Sequence, residues 1–224
     1  MMTSVLEKLC CQIPWCHQAI LESTLELALE IAREGREGRR IGTLFTLGKA
    51  DAVLATSRPL ILDPLAGHAP ARTHITDPDL RGTIKELAQL DGAFVIAEAG
   101  TVVAACRYLD ASVERIELPL GLGSRHLAAA SVSQRLGVIA IVVSESGVVR
   151  VFHEGQLEAT VIPELWLLAR HNAQLGRHDD VKEQHRSVDV LTVSVGHIND
   201  EARIDIAGAA RDTRGETTDI QLTS

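Results

Sequence analysis

The amino-acid sequence predicts a mixed α/β (α+β) domain in which helices flank a central mixed β-sheet. Segments with apolar residues at helical spacing alternate along the chain with short segments of β-branched, apolar residues. Several of the latter are joined in pairs by short turns that contain glycine, which is typical of antiparallel hairpins. Together these features indicate helices and strands interleaved in one layered domain.

The first predicted elements are a helix and two β segments. Residues 17–34 form an amphipathic helix that ends in a Gly/Arg-rich stretch. Its apolar positions are Ile20, Leu21, Leu25, Ala28, Leu29 and Ala32. Residues 41–47 and 52–56 follow as β segments, joined by a hairpin turn at 48–51. Residues 63–76, which contain two prolines and a glycine, are predicted to be a loop.

The middle of the chain predicts a second helix and a hairpin. Asp77 is suited to cap the helix, Pro78 to occupy its first turn, and the apolar stripe ends near Leu90. Residues 93–97 and 101–106 are then two β segments on either side of a Glu-Ala-Gly turn.

A third helix and a further hairpin follow. Ser124 precedes an alanine-rich run without proline or glycine, and Gly137 ends it, so we expect Ser124 to be the N-cap and Gly137 the terminator. Residues 138–143 and 148–153 form the hairpin, and 163–170 a short helix.

The domain organisation follows from a change in composition. Residues 1–165, including the N-terminal helix, are predicted to form one domain. Residues 166–224 are a C-terminal extension of unknown role, with a candidate strand at 190–195 and a polar end.

Composition and charge exclude some classes of function. The 30 acidic residues outnumber the 22 basic ones and aromatic residues make up 3% of the chain, so nucleic acid is not an expected partner. The apolar run 138–143 is far shorter than a membrane span, no apolar leader is apparent, and four cysteines are few. We therefore expect a cytoplasmic protein without membrane contact, with its thiols reduced.

The strongest candidate for a binding site is the stretch Gly121-Leu122-Gly123-Ser124-Arg125-His126, which leads directly into a helix. Glycines allow close backbone approach, and the first N–H groups of a helix carry partial positive charge. With Arg125 and His126 in the first turn, this pattern indicates an anion site. The alternative is a capped helix with an exposed arginine and a packed histidine.

Two shorter motifs are candidates as well. Asp91-Gly92-Ala93 lies where a helix gives way to a strand, and Ser144-Glu145 follows an apolar strand. The first could bind a ligand against the glycine backbone, and the second could contact phosphate and metal. Each is equally compatible with ordinary turn chemistry.

Two clusters resemble metal sites without the required spacing. Cys10, Cys11, Cys16 and His17 lack a C-x-x-C knuckle and a second pair, which favours core or interface cysteines. The His/Asp/Glu residues of 178–185 lie in polar surroundings that favour a solvated linker.

In combination, these motifs resemble the diadenylate cyclase domain family over about residues 40–160. The family carries a D-G-A motif and, some thirty residues later, G-T-R-H-R; here these are Asp91-Gly92-Ala93 and Gly123-Ser124-Arg125-His126-Leu127. The resemblance implies the family's fold and a metal-dependent nucleotidyltransferase that condenses two ATP molecules into cyclic di-AMP with release of pyrophosphate. It also implies a homodimer, or a higher oligomer, with face-to-face active sites.

The same resemblance assigns roles to individual residues. Asp91 would hold Mg²⁺ or Mn²⁺ and activate the ribose 3′-hydroxyl, with Glu145 as a second metal ligand. Arg125 and His126 would be catalytic and, like Ser124 and Gly123, would bind the triphosphate. The other implied nucleotide contacts are Gly92, Ala93, Leu122 and Ser144.

One position departs from the family motif. Leu127 replaces the second arginine of R-H-R, and Arg107 or Arg135 could supply the missing charge. This departure keeps two alternatives open: a regulatory nucleotide-binding module with the same fold and little or no turnover, and a nucleotidyltransferase that acts on another acceptor.

Overall fold

The computed structural model describes residues 2–111, 116 and 118–175. The helices are α1 (Met2–Gln12), α2 (Gln18–Glu34), α3 (Ala50–Ala55), α4 (Pro78–Leu87), α5 (Ser124–Leu136) and α6 (Pro163–Leu175). The strands are β1 (Thr43–Leu47), β2 (Ser57–Pro59), β3 (Ala93–Ile96), β4 (Val102–Leu109), β5 (Ile139–Val143), β6 (Val149–His153) and β7 (Gln156–Val161). A 3₁₀ turn spans Pro70–Arg72.

The strands form one seven-stranded mixed sheet in the order β2-β4-β3-β1-β5-β6-β7. β1 and β3 run parallel, and the remaining neighbours are antiparallel. The chain passes from β1 to β3 through α3, β2 and α4, because a parallel pair needs a crossover connection.

Helices cover both faces of this sheet. Phe45 and Leu47 of β1 pack into one buried cluster with residues of α1, α2 and α4, whereas Leu44 packs into a second cluster with residues of α3 and α5. β3 and β5 alternate in the same way. All residues of β1, β3 and β5 are therefore buried, which explains why β3 and β5 are continuously apolar and why β1 has only two threonines among its apolar residues. The predicted fold class, a mixed sheet flanked by helices, is confirmed.

Most predicted elements are confirmed. α2, the β3–β4 hairpin, α5 and the β5–β6 hairpin lie where the sequence indicates. Asp77 caps α4, since its side chain accepts a 2.9 Å hydrogen bond from the Asp79 backbone N–H. Gly137 ends α5 in the left-handed conformation.

The β segment predicted at 52–56 is wrong, and so is the hairpin turn before it. Residues 50–55 form α3 instead, and the partner of β1 on that side is β3. The Ala-Asp-Ala-Val-Leu-Ala sequence favours a helix, and the alternation that suggested a strand is too short to distinguish the two.

Other local predictions also differ from the structure. Gly123, in an extended conformation, is the N-cap of α5, so Ser124 is the first helical residue and does not cap the helix. α1, β2 and β7 were not predicted. α6 runs from Pro163 to Leu175 and crosses the predicted domain boundary at 165/166. Residues 178–185 and 190–195 lie outside the described residues.

Two of the predictions from composition can be compared with the described residues. Cys10 and Cys16 form a disulfide, so the expectation of reduced thiols is wrong for this pair, while Cys11 and Cys106 are free. Among the described helices, none combines the length and the apolar character needed to cross a bilayer.

Candidate functional site

The topology of the sheet brings three separated motifs to one end of its strands. β1 and β3 run parallel, and Thr43 at the start of β1 pairs with Val143 at the end of antiparallel β5. Residues just before β1 and β3 and just after β5 therefore lie at the same end. These are Gly42, Asp91 and the pair Ser144-Glu145.

Arg125 joins two of these motifs. From the first turn of α5, its Nη2 donates to Asp91 Oδ1 at 3.2 Å and its Nη1 donates to Glu145 Oε1 at 3.0 Å. The Asp91 and Glu145 side chains are 77% and 69% exposed, against 36% for Arg125. The predicted triphosphate arginine and the two predicted metal ligands thus form one solvent-accessible group.

Gly42 makes room for this group, and sequence analysis did not identify it. A Cβ atom at residue 42 would lie 2.9 Å from Arg125 Nη1 and 3.1 Å from Glu145 Cγ. A glycine at the start of an apolar strand is a weak signal without the register that places β5 beside β1.

A cavity of about 150 Å³ opens beside Asp91 and Arg125. Of the residues predicted to bind nucleotide, it is lined by Asp91, Gly92, Ala93, Ser124 and Arg125. Its other lining residues are Leu44, Leu60, Arg107, Tyr108, Leu109, Ala111 and Ala128. The cavity therefore combines an apolar wall with a polar rim, which is the usual composition of a small-molecule site.

The structure requires glycine at position 92 for reasons that do not involve a ligand. Its φ is +108°, and a Cβ there would lie 2.6 Å from the carbonyl carbon of Cys106 on β4. The register between β3 and β4 shifts just after Ala93, and Cys106 has a positive φ of 55°. Glycine is thus needed for the close approach of β4, whatever ligand lies against it.

The register shift between β3 and β4 also explains why the C-terminal part of β4 was not predicted from the sequence. The predicted strand stopped at Cys106, where the bulge interrupts the alternation. The strand continues to Leu109, and its last residues Arg107, Tyr108 and Leu109 line the cavity.

His126 lies beneath the site and does not line the cavity. It is 6% exposed, its Nε2 lies 3.1 Å from Nη1 of Arg150 on β6, and its ring meets Phe152 edge-on. Burial, followed by the positive charges of Arg150 and Arg125, lowers the pKa of His126 to about 4. Since a guanidinium can only donate, Nε2 accepts and the ring proton of the neutral imidazole resides on Nδ1. Its predicted contact with the triphosphate stays a prediction.

The remaining predicted residues lie around this group. Leu122 packs against the cluster beneath α3 and α5, outside the cavity lining, and Gly123 is the exposed N-cap of α5. Ser144 Oγ accepts from the backbone N–H and the hydroxyl of Ser146, so it stabilises the β5–β6 turn. This contact is the ordinary turn chemistry that was the alternative to a ligand contact for Ser144.

The two arginines considered as replacements for Leu127 have different positions. Arg107 lines the cavity, whereas Arg135 is exposed on α5, donates to the Asp110 carbonyl at 2.8 Å and does not line it. Leu127 is itself 38% exposed and is not part of the cavity wall.

Asp91 and Glu145 are chemically suited to a divalent cation. Mg²⁺ in nucleotide enzymes is commonly held by one or two carboxylates together with substrate phosphates and water. Both carboxylates are exposed and converge on one guanidinium, which already shows that positive charge is favoured between them. Among the described residues there is no cluster of three or more His, Cys, Asp or Glu side chains suited to a metal ion. A cation here would therefore depend on the substrate for further ligands.

Comparison with known proteins gives a consistent result. The family described as DAC, DisA bacterial checkpoint controller nucleotide-binding, matches residues 30–157. A diadenylate cyclase of Methanocaldococcus jannaschii is 49% identical over 138 residues, which are 61% of this chain and 43% of that protein. A diadenylate cyclase of Haloferax volcanii is 37% identical over 148 residues, 66% of this chain and 54% of that protein. The chain thus matches about half the length of these relatives.

A solved structure is also similar. The crystal structure of a DacA double mutant from Staphylococcus aureus is 23% identical, with a TM-score of 0.45, and the alignment covers 69% of this chain and 95% of that chain.

Proposed function

The chain belongs to the DisA bacterial checkpoint controller nucleotide-binding family, and from this premise we propose that it is a diadenylate cyclase. It would convert two ATP molecules into cyclic di-AMP and two pyrophosphates. The observation that carries the proposal is the convergence of Asp91 and Glu145 on Arg125 at the rim of a cavity that Gly92, Ala93 and Ser124 also line.

In the proposed reaction, the 3′-oxygen of one ATP attacks the α-phosphorus of the other. The new bond is 3′-O–P, the bond from the α-phosphorus to the pyrophosphate oxygen breaks, and the same step in the opposite direction closes the ring. Asp91 would accept a hydrogen bond from the attacking 3′-hydroxyl, orient it and take up its proton. Arg125 would exchange a carboxylate partner for a phosphate oxygen and, with the free N–H groups that begin α5, stabilise the growing negative charge.

We assign the metal to the two carboxylates. Asp91 and Glu145 would hold Mg²⁺ or Mn²⁺, which when bound neutralises phosphate charge and aligns the reacting groups. Metal dependence is part of the proposal, and removal of divalent cations with a chelator is expected to abolish turnover without unfolding the protein.

The decisive experiment is incubation with ATP and Mn²⁺ or Mg²⁺, followed by chromatography of the products. Cyclic di-AMP from the wild type supports the proposal, and Asp91→Asn is the matched negative control because it removes the carboxylate and keeps the shape. We expect this variant to stay folded and to lose about 10²-fold or more of the rate. Undiminished turnover would remove Asp91 from the mechanism.

A second candidate rests on Leu127. A regulatory nucleotide-binding module with this fold would bind ATP and form no product, and a loss of the second arginine of the family motif is consistent with it. ATP binding without turnover would favour this module. A linear or mixed adenylyl product would indicate a nucleotidyltransferase with another acceptor.

We also propose a homodimer, or a higher oligomer, with facing sites. The product is two-fold symmetric and each chain has one such cavity among its described residues, so a dyad would bring two nucleotides together. Dilution to a verified monomer is expected to abolish specific activity. Unchanged specific activity in the monomer would refute the dimer requirement. A cytoplasmic location and the lack of a nucleic-acid or membrane partner stay predictions.

A further inference from the structure

We propose that Arg107, which lies in the wall of the cavity and has no carboxylate partner among the described residues, binds a phosphate group of the nucleotide. The inference rests on the proposed function, since it takes ATP as the ligand. It adds a binding residue that the motifs of the sequence do not include, on the part of β4 that follows the bulge at Cys106.

The guanidinium of Arg107 is held in place before any ligand binds. Nε donates to Ser57 Oγ at 3.1 Å, and Nη2 donates to the carbonyls of Leu54 at 3.0 Å and Ser57 at 2.7 Å. These acceptors belong to the end of α3 and the start of β2. Nη1 has no hydrogen-bond partner among the described residues, so two fixed donors remain for a ligand.

The charge balance of the cavity favours an anion at this position. The charged lining residues are Asp91, Arg107 and Arg125. Arg125 already contacts two carboxylates, so its charge is more than offset. The partners of Arg107 are two carbonyls and a hydroxyl, which are neutral. Among the described residues that line the cavity, Arg107 is thus the cation without a carboxylate partner, and it is partly buried, where a charge-assisted hydrogen bond is strong.

The position also accounts for the departure at Leu127. That side chain is outside the cavity lining, whereas Arg107 is within it. Arg107 would thus give the cavity a positive charge that Leu127, outside its lining, does not.

The test measures binding and not turnover. The ligands are α,β-methylene-ATP, whose α–β bridge resists cleavage, and adenosine, which has no phosphate, each titrated calorimetrically into the full chain. For Arg107→Gln we expect affinity for α,β-methylene-ATP to fall about 10- to 100-fold, in line with the loss of one charged hydrogen-bond partner. Adenosine affinity should stay within about twofold. Arg135→Gln, which removes an arginine that also donates to a carbonyl, should change neither.

A second variant guards against misfolding, since Arg107 also ties α3 to β2. Arg107→Lys keeps the charge with fewer donors, and its loss of ATP-analogue affinity should be smaller than that of Arg107→Gln, again with adenosine unchanged. Equal losses for both ligands, or no loss for the analogue, would overturn the inference. A wild type that binds neither α,β-methylene-ATP nor adenosine would instead refute the proposed function, so the two failures are distinguishable.

Discussion

At the scale of single residues, Gly42 matters because of two side chains that belong to other elements. Arg125 Nη1 and Glu145 Cγ would lie 2.9 and 3.1 Å from a Cβ at this position. Atoms of flexible side chains can move away, so the fold tolerates the added methyl group while the ion pair does not keep its geometry.

We therefore expect Gly42→Ala to lower turnover on the order of tenfold, equivalent to about 1.4 kcal/mol of transition-state stabilisation, with little change in the midpoint of thermal unfolding. Steady-state kinetics and a melting curve measure the two effects. Gly82→Ala is the control, because no atom outside its own stretch of α4 lies within 4 Å of its Cβ position. It should stabilise by about 0.5–1 kcal/mol and leave activity unchanged. Wild-type turnover in Gly42→Ala would contradict the role of this space.

His126 makes the stability of the fold depend on pH. Burial and Arg150 lower its pKa to about 4 from an ordinary value of 6.5. Between these values the unfolded chain binds a proton that the folded protein does not, so stability falls as the pH drops from 6.5 to 4 and is constant above that window. The pKa difference corresponds to at most about 3 kcal/mol.

Denaturant unfolding at a series of pH values measures this contribution. His126→Gln removes the ionisation, so its curve should lack the part of the acid destabilisation that the wild type shows between pH 6.5 and 4. His68→Gln, in the exposed loop, should follow the wild type. Parallel curves for wild type and His126→Gln would show that His126 is not held neutral by the fold.

At the scale of elements, the β3–β4 corner, where Gly92 directly before β3 approaches Cys106 of β4, requires glycine for two reasons. Gly92 has a positive φ, and the Cβ it lacks would collide with the backbone of β4. Gly67 has a positive φ of 82° with no atom near its Cβ position. Replacing Gly67 with alanine therefore measures the cost of a positive φ without a backbone collision.

We expect Gly67→Ala to destabilise by about 1 kcal/mol and Gly92→Ala by clearly more, because a backbone contact must also be relieved. Urea unfolding gives both values. Since Asp91 precedes the corner, Gly92→Ala should also lower turnover. Equal destabilisation by the two variants would mean that β4 moves aside at no cost.

Elements that local sequence patterns determine were predicted, whereas those that depend on tertiary contacts were not. Long periodic segments such as α2 and α5 and hairpins such as β5–β6 were predicted, because local patterns determine them. α3 was mistaken for a strand because five residues carry too little periodicity. The extension of β4 from Cys106 to Leu109 was not predicted, because the bulge at Cys106 accompanies a tertiary contact with Gly92 and is not marked by a local pattern.

At the scale of the whole molecule, the site depends on strand order. Asp91 and Arg125 are separated by 34 residues, and motifs alone cannot show that they meet. Their contact follows from the parallel β1–β3 pair and from β5 being antiparallel to β1. Sequence analysis predicted the members of the group through resemblance, and the topology supplies their distances and adds Gly42.

The opposite end of β1 is held by the N-terminal segment. The Trp15 ring lies over Gly48, directly after β1, and the Cys10–Cys16 disulfide closes the loop that carries Trp15 between α1 and α2. Because the candidate site lies at the start of β1, this disulfide is expected to affect stability more than activity.

Reduction, or Cys16→Ser, should release the loop. A closed loop of this size restricts the unfolded chain by about 2 kcal/mol, which corresponds to a fall of roughly 4–8 °C in the unfolding midpoint for a chain of this length. Scanning calorimetry with and without reductant measures the shift, and thiol titration in denaturant should find Cys11 and Cys106 before reduction and all four cysteines after it. Cys11→Ser should leave the midpoint unchanged, since that thiol is free and exposed.

Turnover at 25 °C should persist after reduction, because β1 and its neighbours remain packed between the two buried clusters. A loss of turnover without a shift of the midpoint would instead connect this end of the sheet to the site.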